Sequence, residues 1–147
     1  MDSRHVILRG FRYDLWATRL WVHSLGGFAD PIPAQIVLEH MLEAHRVWLE
    51  RCGMTLFPDV ENVALSELFS ISMQAWRALI EAVPLDHVVS YVNSSGNRYE
   101  EPISDIALHV INHGTYHRGQ LRGLAQAEGW TDFPETDLIA YIRSGDG

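Results

Sequence analysis

Four long segments of the chain carry apolar residues at the spacing of an amphipathic α-helix, and this periodicity constrains the fold more than any other feature. The predicted helices cover residues 3–25, residues 33–52, residues 65–82 and a last long segment whose first turn contains Pro102. Six residues of the first helix share one face: Leu8, Phe11, Leu15, Thr18, Val22 and Leu25. Glycine or proline follows each of the first three segments, as expected where helices end.

Between the third and fourth helices the sequence changes character. Residues 88–93 are rich in β-branched and aromatic residues, residues 94–97 read SSGN, and residues 98–101 can return as a partner strand. Residues 54–62 have no sustained period and are predicted to form a loop, and residues 136–143 are a short helical candidate. The pattern predicts an all-α fold, a four-helix bundle with a short β-hairpin inserted before the last long helix.

Composition narrows the classes of protein to which the chain can belong. A length of 147 residues is that of one ordinary domain, so a single domain over residues 1–147 is expected. The single cysteine, Cys52, excludes an internal disulfide framework, and the N-terminal residues lack the apolar core of a signal peptide. We therefore expect a cytoplasmic protein. A net charge of −8 disfavours nucleic acid and anionic membranes as partners.

The segment HVINHGTYHRGQ, residues 109–120, contains three histidines at a spacing of four. On a helix, residues four apart lie one turn, roughly 6 Å, apart along the axis, so two such rings can reach one cation. The outer pair is roughly 12 Å apart and cannot. The segment therefore supplies two ligands, from His109 and His113 or from His113 and His117, and requires at least one more.

Histidines on apolar faces also have a purely structural interpretation. A single buried histidine is more often a core residue with one hydrogen bond, and this is the simpler interpretation of His45 or His109 taken alone. For His113 and His117 together, metal binding explains the pair as well as a structural role does, because two buried imidazoles each need a partner. The third ligand could come from His40 or His45, which lie about 140° apart on the second helix. Periodicity does not choose between them.

The segment HVINHGTYHRGQ resembles the signature of the DinB/YfiT-like family, in which a histidine pair is followed by Arg-Gly-Gln on the last long helix of a four-helix bundle. Other stretches resemble the family in the same order: FRYDLWAT at residues 11–18, VLEHMLEAHRVWLER at residues 37–51, YVNSSGNRYEEPISDIALHV at residues 91–110, and TDLIAYIR at residues 136–143. The resemblance covers nearly the whole chain.

The resemblance implies a metal held by one histidine of the second helix and two of the last. Matched residue by residue, these positions are His40, His113 and His117. Family members are usually homodimers with nickel, zinc or a similar divalent ion. Some relatives transfer low-molecular-weight thiols or isomerise maleylpyruvate in a thiol-dependent way. A small-molecule thiol or another small substrate is therefore the expected partner, beside a second copy of the chain.

Three histidines without a fourth protein ligand leave an open coordination position, the pattern of catalytic metal sites. We expect a metal-dependent transferase linked to thiols, or a hydrolase, and the alternative is a non-enzymatic, metal-stabilised dimer that acts as a sensor or interaction module.

The remaining residues near the signature have expected supporting roles. Arg118 should face another helix or a subunit and pair in bidentate fashion with a carboxylate, Gly119 should permit close helix contact, and Gln120 should support the metal ligands. Cys52 lies about three turns from His40 and is not expected to be a nucleophile. The sequence thus predicts a metal site without naming its catalytic residues.

Overall fold

A computed structural model describes residues 2–55 and 62–145, and within these residues the chain is mostly helical. The long helices are α1 (Ser3–His23), α2 (Ile32–Arg51), α3 (Leu65–Ala82) and α4 (Ile103–Ala127), and a short α5 covers Leu138–Arg143. A 3₁₀ helix, Leu25–Gly27, follows α1. Strands β1 (Val88–Val92) and β2 (Arg98–Pro102) form a two-stranded antiparallel sheet. The helices and the hairpin lie within two residues of the bounds that the sequence predicted for them.

Helix ends follow from local hydrogen bonding. Asp2 caps α1, because its carboxylate accepts a 2.8 Å hydrogen bond from the backbone N–H of His5. The first helix was expected to reach Leu25, but α1 ends earlier, where the Ser24 N–H bonds to Trp21 and the chain tightens into the 3₁₀ turn. Pro102 is the last residue of β2 and has extended backbone angles, so α4 starts one residue later than predicted.

The contacts between helices give their relative directions. Phe11 of α1 stacks on Trp76 of α3 with ring centroids 4.7 Å apart, and Arg4 donates to the Val83 carbonyl, so these helices run antiparallel. Helices α2 and α4 also run antiparallel. His40 contacts His117, whereas Trp48, later in α2, contacts His109, earlier in α4. Helix α1 runs parallel to α4. These directions decide which ends of the helices share a site.

The buried face of α1 differs from the predicted one. Phe11 and Thr18 are buried as expected, but Leu8, Leu15, Val22 and Leu25 are only half-buried. The buried residues of α1 include the polar residues Asp14 and Thr18. The full set is Ile7, Phe11, Tyr13, Asp14, Ala17, Thr18 and Trp21. The reason is that α1 packs against both α3 and α4, so its contact surface is wider than the single apolar stripe.

The hairpin places one face of its two strands against the helices. Val89 pairs with Glu101 and Tyr91 pairs with Tyr99, and these four side chains share a face because cross-strand partners point the same way. Val89 is buried in a core cluster that contains residues of α1, α3 and α4. The turn is closed by Asn93, whose side chain accepts from two backbone N–H groups of the turn.

Most of the predicted loop over residues 54–62 lies outside the described residues, which omit 56–61. In the part of the chain that is described, no helix is long and apolar enough to cross a membrane.

Candidate metal centre

Three histidine side chains from two helices converge on one point. His40 projects from α2, and His113 and His117 project from adjacent turns of α4. The Nε2 atom of His113 lies 3.2 Å from Nε2 of His40 and 3.1 Å from Nε2 of His117. One ligand atom from each ring falls within 4.8 Å of the others. These are the three residues for which the family resemblance implied a metal.

The packing of α2 against α4 brings His40 to the pair on α4. Leu38 and Met41 flank His40 on α2 and are almost completely buried, in the same cluster as Leu121 of α4. Because these neighbours are fixed in the core, His40 is held at the edge of the interface, where its side chain stays exposed while the rings of His113 and His117 are half-buried. The site is therefore open to solvent on one side.

The electrostatic surroundings keep His113 neutral. Burial lowers its pKa, and the neighbouring rings of His117, His40 and His109 lower it further, to about 4. A neutral imidazole is the form that binds a metal. On the far side of His117, Nδ1 lies 2.8 Å from the Gln120 side-chain oxygen, an acceptor, so Nδ1 carries the proton and the Nε2 lone pair faces the other rings.

Hydrogen bonds between the rings do not account for this arrangement. Nε2 of His113 faces two other Nε2 atoms, yet it offers either one N–H or one lone pair and can satisfy only one of them. Two nitrogens bound to one zinc-sized ion in tetrahedral geometry lie roughly 3.3 Å apart, close to the observed separations. The convergence of three imidazole nitrogens is thus compatible with a metal site.

The other two histidines of interest lie elsewhere. His45 is buried between helices, where its Nδ1 accepts a 2.9 Å hydrogen bond from the Trp76 indole and its Nε2 lies 3.2 Å from an Asp14 oxygen. This agrees with the interpretation of His45 as a structural residue. The ring centroid of His109 lies 5.2 Å from that of Trp48 and 6.0 Å from that of His113, so His109 is a neighbour of the three histidines.

Arg118 pairs with a carboxylate on another helix, as predicted, but it does so through one nitrogen, Nη1, rather than in bidentate fashion. It is only 3% exposed and donates to Asp14 at 2.5 Å and to Thr18 at 3.1 Å. Burial alone would raise the pKa of Asp14, but the charge of Arg118 and the contacts with His45 and Arg118 outweigh burial and hold it below its usual value. Sequence reasoning had not identified Asp14 as that carboxylate, because Asp14 lies outside the apolar stripe predicted for α1.

The close helix contact was predicted at the wrong glycine. A Cβ on Gly119 would meet no neighbouring atom, because Gly119 is exposed. A Cβ on Gly114 would overlap Asp14 and lie 2.9 Å from Arg118. Gly114 lies on the side of α4 that touches α1, four residues from the buried arginine. Gln120, in contrast, does contact a candidate ligand, as predicted.

Two cavities adjoin α4. One, of about 310 Å³, lies beside His109 between α4, the end of α2 and the hairpin, and it is lined by Trp48, Tyr91, Glu101, Asp105, Ile106 and His109. The other, of about 190 Å³, lies on the α1 side of α4, where Arg118 and Arg122 face the segment that leads into α5. Of these two cavities, the first is lined by a histidine, His109, and sequence reasoning had not predicted it.

Fold and site together define a mostly helical protein with a small antiparallel sheet and a candidate centre of three histidines. The chain belongs to the DinB family, whose sequence model matches residues 34–145 and so includes all three histidines. It is similar to Protein DinB of Bacillus subtilis (strain 168), with 30% identity over 78 residues. That alignment covers 53% of this chain and 41% of the relative. No solved structure matches the chain.

Proposed function

We propose that the protein is a divalent-metal-dependent enzyme in which His40, His113 and His117 hold nickel or zinc and leave an open coordination position. The observation that carries this proposal is the convergence of three Nε2 atoms, two of the separations being 3.1 and 3.2 Å. Membership of the DinB family supports it. The lowered pKa of His113 supports it as well, because that ring is neutral at physiological pH.

The reaction class follows from the neutral donor set. A divalent ion bound by three imidazoles keeps its double positive charge, acts as a Lewis acid and lowers the pKa of a water or thiol that binds it. We propose a transferase linked to a small-molecule thiol, or a hydrolase. Gln120 would hold the His117 ring in the tautomer that presents Nε2, and the exposed edge at His40 would admit the substrate.

The remaining features of the proposal concern the whole chain. The four long helices form a four-helix bundle, residues 1–147 are one domain, and the protein works in the cytoplasm as a homodimer. The antiparallel pairing of α1 with α3 and of α2 with α4 supports the bundle. Sedimentation equilibrium tests the dimer, which a mass equal to that of a single chain would exclude.

Metal content is the decisive measurement. The protein is purified without a histidine tag, reconstituted separately with nickel and zinc, and analysed for bound metal. We expect about one ion per chain in the wild type and almost none in His113→Ala, which removes the ring that contacts both other histidines.

Two matched variants control for the loss of any histidine. His109→Ala removes the neighbouring ring on the same helix, and His23→Ala removes an exposed ring at the end of α1. Both should retain the wild-type stoichiometry. A wild-type protein that binds no metal after reconstitution would refute the proposal, and loss of metal in His109→Ala would place the site on the other histidine pair.

A non-enzymatic, metal-stabilised dimer that acts as a sensor or interaction module is the second candidate function. One observation favours it: among the described residues, the group of candidate ligands that converges contains three histidines and no carboxylate to act as a general base. A panel of thiol and ester substrates separates the two functions. Turnover that depends on the metal excludes the second candidate, whereas metal-dependent stability without turnover favours it.

A further inference from the structure

The cavity of about 310 Å³ beside His109 has aromatic walls and an acidic end. The rings of Trp48 and Tyr91 meet edge to face at 5.1 Å, and His109 packs on Trp48 from the α4 side. Glu101 from β2 and Asp105 from the first turn of α4 supply two carboxylates. Pockets of this kind, largely apolar with a few polar groups, are typical of sites for small molecules.

The carboxylate of Glu101 is incompletely satisfied. Its Oε2 atom is buried and has no hydrogen-bond partner among the described residues. The carboxylate does interact with the Tyr91 hydroxyl, whose pKa is raised to about 12 by burial and by hydrogen bonding and charge repulsion from Glu101. A buried carboxylate oxygen without a donor is costly, and a ligand that brings an N–H group removes that cost.

The charges around the cavity favour a cation. Neither Glu101 nor Asp105 forms an ion pair with another described residue. The guanidinium of Arg51 lies 4.5 Å from the centre of the Trp48 ring and 4.6 Å from that of Tyr91, but Arg51 does not line the cavity. The two carboxylates of Glu101 and Asp105 and the guanidinium of Arg51 sum to one negative charge, so the cavity would repel an anionic ligand.

The cavity and the three candidate ligands lie on the same side of α4, and α2 borders both, with Trp48 at the cavity and His40 at the histidine centre. On α4, Asp105, His109, His113 and His117 recur every four residues and so form one row. Asp105 lies about 12 Å along the axis from His113 by the rise per residue. One elongated molecule can therefore occupy both places.

We propose that the substrate of the histidine centre carries a primary ammonium group on an apolar body and that this end binds in the cavity, at Glu101 and Asp105. The assignment rests on the proposed function, because it takes the histidine centre as the place of reaction. The ammonium group pairs with the carboxylates of Glu101 and Asp105, the apolar body packs on Trp48, and the reacting end of the molecule extends past His109 to His113.

Phenethylamine is the probe for the ammonium subsite, with 2-phenylethanol as its neutral analogue and 3-phenylpropionate as its anionic one. Binding to the full chain is measured by calorimetry, with and without metal. We expect phenethylamine to bind about tenfold or more tightly than the alcohol, the anion to bind least, and the preference to persist without metal and in His113→Ala.

Variants in which an amide replaces a carboxylate locate the site that binds the ammonium group. Glu101→Gln should weaken phenethylamine binding by about tenfold, and Asp105→Asn should weaken it in the same direction. Glu100→Gln is the matched control, because Glu100 is the adjacent residue of β2, points to the other face of the hairpin and is exposed. Circular dichroism establishes that each variant is folded. Equal affinity for amine and alcohol, or equal losses in Glu101→Gln and Glu100→Gln, would overturn the subsite.

A bifunctional probe tests the link to the histidines. An aminoalkanethiol long enough to span about 12 Å should bind metal-loaded protein more tightly than an alkanethiol of the same length without the amine, and this gain should disappear in Glu101→Gln. A gain that survives Glu101→Gln would overturn the assignment of the substrate. If the wild type binds no metal, elemental analysis shows that the proposed function has failed, while the phenethylamine titration still decides the ammonium subsite.

Discussion

At the scale of single residues, the buried pair of Asp14 and Arg118 is the most consequential polar contact outside the candidate site. We expect Asp14→Asn to lower the free energy of unfolding by about 3–5 kcal/mol, because Arg118 would be left as a buried charge without its partner. Urea denaturation measures the loss. Asp86→Asn, at an exposed position, should change stability by less than about 0.5 kcal/mol. A comparable effect of the two variants would show that the pair is not critical to the core.

Cys52 is half-buried, and its thiol is predicted to react slowly. Burial raises the pKa of its thiol to about 11, so at pH 8 the reactive thiolate should be about 100-fold scarcer than for an ordinary cysteine. We therefore expect slow alkylation by iodoacetamide, with a rate that rises about tenfold per pH unit until the pH approaches the pKa. Mass spectrometry follows the reaction, and urea-unfolded protein is the control. Native protein that reacts as fast as unfolded protein would contradict this prediction.

At the scale of the helices, the contact between α1 and α4 requires the absence of a side chain at Gly114. Gly114→Ala should destabilise the protein by about 1–3 kcal/mol, because the added methyl group overlaps Asp14 and crowds Arg118. Gly119→Ala is a matched substitution on the same helix, where the methyl group meets nothing, so better helix propensity should stabilise the protein by about 0.5–1 kcal/mol. Thermal and urea unfolding measure both, and effects of the same sign would contradict the assigned contact.

The elements themselves were predictable because their signals are local. Helix α3 has the bounds that its apolar spacing indicated, and the hairpin falls on the β-branched run and its SSGN turn. The errors lie where packing intervenes. The buried face of α1 was misjudged, since a helix that contacts two neighbours buries polar side chains such as Asp14 that its own periodicity assigns to solvent.

At the scale of the whole molecule, the proposed metal would join α2 to α4 and so stabilise the fold. With free metal at about 100 times the dissociation constant, the gain is about 2.7 kcal/mol, or roughly 5–10 °C in Tm for a chain of this size. We expect a chelator to lower the Tm of metal-loaded wild-type protein by that amount and to leave the Tm of His113→Ala unchanged. Calorimetry measures both, and an unchanged wild-type Tm would contradict a structural contribution from the metal.

The sequence by itself determined the positions of the helices and the hairpin and the row of histidines on α4, because backbone geometry fixes which residues within one element share a face. Its likeness to a family singled out His40, which periodicity could not separate from His45. Only the tertiary structure decided which helices are neighbours. It thereby brought His40 to His113, closed Asp14 onto Arg118 beside Gly114, and enclosed a cavity against the hairpin. These contacts join residues far apart in the chain, and they depend on how all the elements pack together.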